Sequence, residues 1–411
     1  MTAAGTRSGD LRNYALVTGA YWADTVADGA ARVLVLFYFY ERGFSPFEVA
    51  SLFLFYELFG IVTNLVGGWL AARLGLKATL LMGLGTQIVA LGMLAVAPSA
   101  WLVVPYVMAA QALSGIAKDL TKMSSKSAVK LVAPADAPDA LFRWVAVLTG
   151  SKNALKGVGF FLGGLLLTVV GFRTALVLLV ALVLTALVVV LVLMRGQLGL
   201  PDRSARFAQM FSNNRAVNVL AAARVFLFAS RDVWFVVGLP VFLRSELGWS
   251  FWQAGAFLAL WVIGYGVVQA LTPGIARQRA DGSGRNPGGR AATALAFALA
   301  ALPAAMAIGL QADLDPTFVV VAGLAVFGVI FALNSTVHSY LILAYADKAK
   351  VAMNVGFYYM ANAGGRLAGT VLSGVLYQWQ GLELCLWASA AFVVVAGLLS
   401  LLLPRRAAVV A

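Results

Sequence analysis

Charge is scarce in this 411-residue sequence: 11% of its residues are Asp, Glu, Lys or Arg, against 62% hydrophobic. No soluble domain of this length carries such a ratio, so the composition points to a polytopic membrane protein. There is one cysteine, Cys385, which excludes a disulfide or a thiolate metal cluster within the chain. Its apolar surroundings in the last span read as packing. Histidine also occurs once, as His338. Paired catalytic carboxylates, a Ser/His constellation, a metal cluster, a nucleotide-binding glycine loop and an appended soluble domain are all missing, which argues against an intramembrane enzyme or a sensor. The first residues contain no short apolar segment with a cleavage site, so no removable signal peptide is expected.

What is abundant is apolar sequence. Runs of membrane-spanning length fall near 14–40, 46–71, 78–97, 101–128, 140–170 and 172–194, and again near 217–243, 250–276, 291–310, 316–344, 351–379 and 382–403. The pattern predicts an all-α polytopic fold of about twelve transmembrane helices in two six-helix halves, 1–194 and 217–411, joined by a cytoplasmic loop at 195–216. A second hydrophilic stretch, 276–290, reads as a flexible loop. With both termini on the cytoplasmic side, the loop cations from Arg7 and Arg12 to Arg405 and Arg406 lie inside, and the other side keeps Arg42, Arg173 and Arg244. This bias accounts for most of the formal charge of +13. The halves also echo each other. Glu-Arg-Gly-Phe-Ser at 41–45 matches Glu-Leu-Gly-Trp-Ser at 246–250, and Lys156, Gly159 and Gly164 share their spacing with Arg366, Gly369 and Gly374. Same-orientation repeats of six helices are a transporter pattern.

The loops leave some charges unexplained. Arg32, Lys118, Lys122, Arg143, Lys152, Lys156, Arg224, Arg231 and Arg366 fall within the spans, accompanied by Asp24, Asp28, Glu57, Asp119 and Asp232. A lysine or arginine at the centre of a membrane helix costs about 2.5–3.5 kcal/mol on insertion scales. Asp24, Asp28 and Arg32 share one helix face, as do Arg224 and Arg231, and Lys118, Lys122, Lys126 and Lys130 form a ladder. Lys126 and Lys130 read as inward-facing anchors, and Arg143, which begins its span, is open to the same reading. The acids either balance neighbouring cations or carry protons, and His338, one turn from Asn334, makes a structural hydrogen bond or transfers a proton. The cationic surplus calls for a hydrated cleft that binds a polyanion, with Arg32, Lys118, Lys122, Lys152, Lys156, Arg224, Arg231 and Arg366 as candidate ligands. Gly157, Gly159, Gly163 and Gly164 let a second helix approach closely.

The segment GGWLAARLGLK at 67–77 resembles the loop signature of the major facilitator superfamily, with Gly68, Arg73, Gly75 and Lys77 at matching positions. Ala72 replaces the usual aspartate, leaving the loop-gating ion pair without its acid. Longer strings, among them YWADTVADGA, QALSGIAKDLTKMSSKSAVKL, LTGSKNALKGVGFFLGG and RDVWFVVGLPVFL, resemble the ArsJ organoarsenical efflux permease family. That resemblance implies export of 1-arseno-3-phosphoglycerate, formed when a glyceraldehyde-3-phosphate dehydrogenase uses arsenate in place of phosphate, and hence arsenate resistance. It further implies a multi-pass protein of the bacterial inner membrane, working by alternating access as a monomer, with no cofactor and no nucleic-acid partner. A pentavalent arsenate ester seeks cations and hydrogen-bond donors rather than thiolates, in keeping with the near absence of cysteine. A general organophosphate, organic-anion or drug antiporter is the alternative.

Overall fold

The computed structural model describes residues 3–132, 138–194, 214–283, 288–345 and 351–404. Most of the expected loop at 195–216 lies outside them, as do the side chains of Lys126, Lys130 and Arg143. Helix is the one type of regular structure among the described residues. The helices are α1 (Ala3–Glu41), α2 (Pro46–Leu52), α3 (Leu54–Leu74), α4 (Leu76–Val96), α5 (Val104–Val132) and α6 (Pro138–Leu193). They continue with α7 (Arg215–Phe235), α8 (Gly238–Ser245), α9 (Phe251–Ser283), α10 (Gly289–Gln311), α11 (Pro316–Tyr345) and α12 (Val351–Ser400).

Among the described residues, eight helical stretches are long and apolar enough to cross a membrane, and two of these, Ser151–Leu193 and Tyr358–Ser400, run for 43 residues. At 1.5 Å per residue each is about 65 Å long, twice the hydrocarbon thickness of about 30 Å. Both are broken at a glycine with positive φ: Gly171 at 76° in α6 and Gly381 at 65° in α12. Only glycine enters that region without a Cβ penalty, so each break divides its helix into two limbs at matching places in the repeat.

Two expected spans are interrupted. The 46–71 run bends at Phe53, between α2 and α3. The 217–243 run breaks at Val237, where the Ser373 hydroxyl of α12 accepts hydrogen bonds from the amides of Val237 (3.2 Å) and Gly238 (3.0 Å). A side chain that captures amides in this way takes them out of the helical ladder. The hydrophilic stretch expected as a loop from 276 is helical as far as Ser283. Helix starts follow local chemistry. Ser45 and Glu48 form a capping box ahead of Pro46, the Asn214 side chain accepts from the amides of Ala216 and Val217, and Asp315 accepts from Phe318 at 2.6 Å.

The chain divides into two compact units. The first holds 1–38, 58–207 and 251–262; the second holds 39–57, 208–250 and 263–411. In the first, a Cβ on Gly159 would lie 2.6 Å from the Val26 carbonyl oxygen of α1, and one on Gly164 would lie 2.3 Å from that of Phe251 at the start of α9. In the second, Gly369 meets Ala229 and Asp232 of α7, and Gly374 meets Pro46, Phe47 and Ala50 at the start of α2. The repeated glycine spacing thus reproduces the same two backbone contacts in each unit.

Candidate functional site

In the second unit the close approach of α12 to α7 sets the position of Arg366. Gly365 and Gly369 flank it, and a Cβ on Gly369 would stand 2.7 Å from the Cβ of Asp232. Across this contact the Arg366 Nε lies 3.6 Å from Asp232, while its terminal nitrogen donates to Glu57 of α3 at 2.6 Å. The other oxygen of Asp232 accepts from Arg231 Nε at 2.6 Å. Glu57 and Asp232 are each 1% exposed. Two arginines and two carboxylates therefore interlock, with Asp232 shared. Charge-assisted bonds of this kind hold the arginine forks in place and offset the desolvation of the acids. The Arg231 guanidinium also lies over Phe228, Phe331 and Phe235, at 5.0, 5.6 and 5.9 Å.

Two helical turns before Arg231, Arg224 lies over the Phe228 ring at 4.0 Å and the Tyr358 ring at 4.9 Å. Both arginines thus share a contact with Phe228, which lies between them in the sequence. Arg224 is buried, donates to the Ser335 carbonyl at 3.1 Å and has no acid partner among the described residues. Asn334 and His338, one turn apart on α11, are fully buried, and neither side chain has a hydrogen-bond partner among the described atoms. The structural hydrogen bond expected as one role for His338 is therefore not seen. The Ser335 hydroxyl accepts from Tyr265 and Gln269 of α9, at 3.3 and 3.2 Å.

In the first unit, Asp119 of α5 gathers two lysines from its own helix. Lys122 donates to it, Lys118 lies 3.9 Å away, and Lys122 also donates to Asn64 of α3 at 2.6 Å. Asp24 of α1 accepts from Thr121 at 2.6 Å through one oxygen; its other oxygen is buried without a partner among the described atoms. Asp28 and Arg32 are buried further along the same face of α1. Lys152 and Lys156 are half-buried on α6, and the Lys156 ammonium stands 5.5 Å over the Phe160 ring.

The loop-signature residues lie around the junction of α3 and α4. Gly68 is helical within α3, Arg73 is exposed in its last turn, and Gly75 turns the chain into α4 with a φ of 84°. Lys77 donates to the Met194 carbonyl at 2.9 Å. Cys385 is buried, with its sulfur 3.7 Å from the Ser373 carbonyl oxygen. Asn64, Thr121 and Phe228 belong to these clusters without being candidates from the sequence. An asparagine in an apolar span and a threonine between two lysines on α5 are the signals for the first two; nothing local marks Phe228 as the ring between two arginines.

The model of the Major Facilitator Superfamily matches residues 17–336. No curated protein matches the chain. Among solved structures, the chain is similar to a POT family transporter in complex with a thioalcohol-conjugated peptide, with a TM-score of 0.78 at 12% identity over 95% of each chain. It is also similar to a structure from work on substrate recognition in proton-dependent oligopeptide transporters, with a TM-score of 0.71 at 16% identity over 95% of this chain and 97% of the other. The nucleoside transporter NupG gives a TM-score of 0.71 at 13% identity, over 95% of this chain and 99% of its own.

Proposed function

The chain belongs to the major facilitator superfamily and is a membrane transporter of that type, and from this premise we propose that it exports 1-arseno-3-phosphoglycerate and so confers arsenate resistance. The observation that carries the proposal is the surplus of cations within the helices. The first unit has Arg32, Lys118, Lys122, Lys152 and Lys156 against Asp24, Asp28 and Asp119; the second has Arg224, Arg231 and Arg366 against Glu57 and Asp232. A surplus held in apolar helices is stabilised by an anionic ligand with several oxygens, and the arseno-phosphoglycerate carries two such groups. The strings that resemble the ArsJ family favour the arsenic ester over other organic phosphates.

In this reading twelve passes form two halves that rock in alternating access, with both termini in the cytoplasm of a bacterial cell and the protein working as a monomer in the inner membrane. Glyceraldehyde-3-phosphate dehydrogenase supplies the substrate. A negative cell interior drives a polyanion outward, since each charge is worth about 2.3 kcal/mol per 100 mV.

Freshly generated ester, supplied to everted vesicles with and without a proton gradient, tests the proposal. Accumulation of arsenic in the lumen that depends on the transporter is expected. Equal uptake in vesicles lacking the protein refutes export of this ester. Uptake of phosphoglycerate with no preference for the arsenic ester selects the organophosphate antiporter instead.

A further inference from the structure

Candidate cations that meet a carboxylate have their charge balanced locally, as Lys122 does at Asp119 and Arg366 at Glu57. Arg224 differs. It is 4% exposed, its Nε has no hydrogen-bond partner among the described atoms, and no acid pairs with it there. A buried guanidinium without a counter-charge is costly, and facing aromatic rings offset only about 0.5–2 kcal/mol of that. Its surroundings are equally unsatisfied. Both amide atoms of Asn334 and both ring nitrogens of His338 lie fully buried without partners among the described atoms, and the Ser335 carbonyl that holds Arg224 belongs to the same turn of α11.

Such groups cost about 1–3 kcal/mol each when left unsatisfied; their donors suit an oxyanion, and the Asn334 carbonyl oxygen and the unprotonated imidazole nitrogen can accept from the hydroxyl groups of a protonated phosphate. The arginine supplies a positive charge and a free N–H, the asparagine an NH₂, and a neutral imidazole one N–H. We infer that Arg224, Asn334 and His338 form an occluded binding site for a phosphate-class oxyanion within the second unit. Arg224 and Arg231 both lie over the Phe228 ring, which adjoins this site and the Arg231–Asp232–Arg366–Glu57 cluster. Arginine in a bidentate geometry suits the phosphoryl oxygens, and burial strengthens each bond. The inference does not depend on which substrate the protein exports, because inorganic phosphate and the phosphoryl end of an organic ester present the same oxygens.

The test is isothermal titration of the purified full-length protein in lipid nanodiscs with inorganic phosphate and, separately, with 3-phosphoglycerate. Binding of phosphate identifies a free-oxyanion site; binding of 3-phosphoglycerate alone identifies a site for the phosphoryl end of the substrate. In either case Arg224→Gln and Asn334→Leu each weaken binding at least tenfold, whereas Gly85→Ala, at a position with no neighbouring atom within 4 Å, leaves it within threefold of wild type. Anion binding also raises the Tm of wild type and not of Asn334→Leu, a variant that keeps the cation and therefore reports on the site even where Arg224→Gln fails to fold. Binding of neither anion, or binding that Asn334→Leu and Arg224→Gln leave unchanged, overturns the inference. Loss of arsenic-ester transport with phosphate binding intact would count against the export reading and not against this site.

Discussion

Arg366 donates to Glu57 at 2.6 Å while its Nε lies 3.6 Å from Asp232, so one guanidinium joins two carboxylates from α3 and α7, each of them 1% exposed. Removing the cation takes the 2.6 Å charge partner from Glu57 and leaves Asp232 with Arg231 alone, whereas removing one acid leaves the arginine with the other. Arg366→Gln is therefore expected to destabilise the protein by about 3–5 kcal/mol, the usual consequence of breaking a buried pair from one side. Glu57→Gln is expected to cost less. Adding Glu57→Gln to Arg366→Gln should recover part of the loss. A double-mutant cycle on detergent-solubilised protein, read as thermal stability, checks this; purely additive effects contradict it.

The glycine contacts predict a different failure. Gly159 and Gly369 occupy matching places in the repeat and lie against α1 and α7, where an added Cβ would stand 2.6 and 2.7 Å from its nearest neighbour. Backbone cannot swing aside as a flexible side chain does. Gly159→Val and Gly369→Val are each expected to cost about 1–3 kcal/mol by overpacking and to lower the yield of folded protein. Gly85, with no neighbouring atom within 4 Å, serves as the control, and Gly85→Ala should leave the melting temperature nearly unchanged. Equal loss at all three positions would show that backbone contact does not set the effect, since helix propensity alone favours replacing glycine.

How much of this is legible in the sequence depends on the distance over which each signal acts. The apolar runs and the spacing of Gly159 and Gly164 against Gly369 and Gly374 are local patterns, and the helices follow them. The break at Val237 has no local sign, because Ser373, which causes it, lies 136 residues away and looks like any serine in an apolar helix. Glu57 is recognisable as a charge balancer, but its pairing with Arg366, 309 residues on, depends on how α3 and α12 pack. The i, i+7 spacing places Arg224 and Arg231 on one face, yet it does not carry the different surroundings that leave one of them with an acid and the other without.

Asp24 offers a test of which force drives the proposed export. One of its oxygens accepts from Thr121, and no cation pairs with it among the described residues. Asparagine can keep that hydrogen bond through its own carbonyl oxygen. If the membrane potential alone carries a polyanion outward, Asp24→Asn keeps at least half of wild-type arsenate resistance. In everted vesicles, uptake then follows an imposed lumen-positive potential and persists when the pH gradient is collapsed. Loss of resistance in Asp24→Asn at normal protein levels, together with uptake that needs the pH gradient, would make Asp24 a proton carrier.

Lys156 and Lys152 separate a ligand from a neighbour. Both are half-buried on α6, one turn apart, and the apolar surroundings alone do not distinguish them. Lys156 has a repeat partner in Arg366, and its helix face packs on α1: a Cβ on Gly29 would stand 2.9 Å from the Lys156 carbonyl oxygen. Its ammonium reaches along the helix to Phe160 at 5.5 Å, a contact worth about 0.5–1 kcal/mol. The proposed export of a polyanion gives this lysine a role in the anion path. Lys156→Gln is expected to lower arsenate resistance at least tenfold with protein levels unchanged, and Lys156→Arg to restore most of it, because charge rather than ammonium shape is required. Lys152→Gln, which has no counterpart in the second half, is expected to cost less than threefold. Growth in arsenate with immunoblotted membranes measures all three. Full resistance in both Lys156→Gln and Arg366→Gln would remove the repeat-related cations from the anion path.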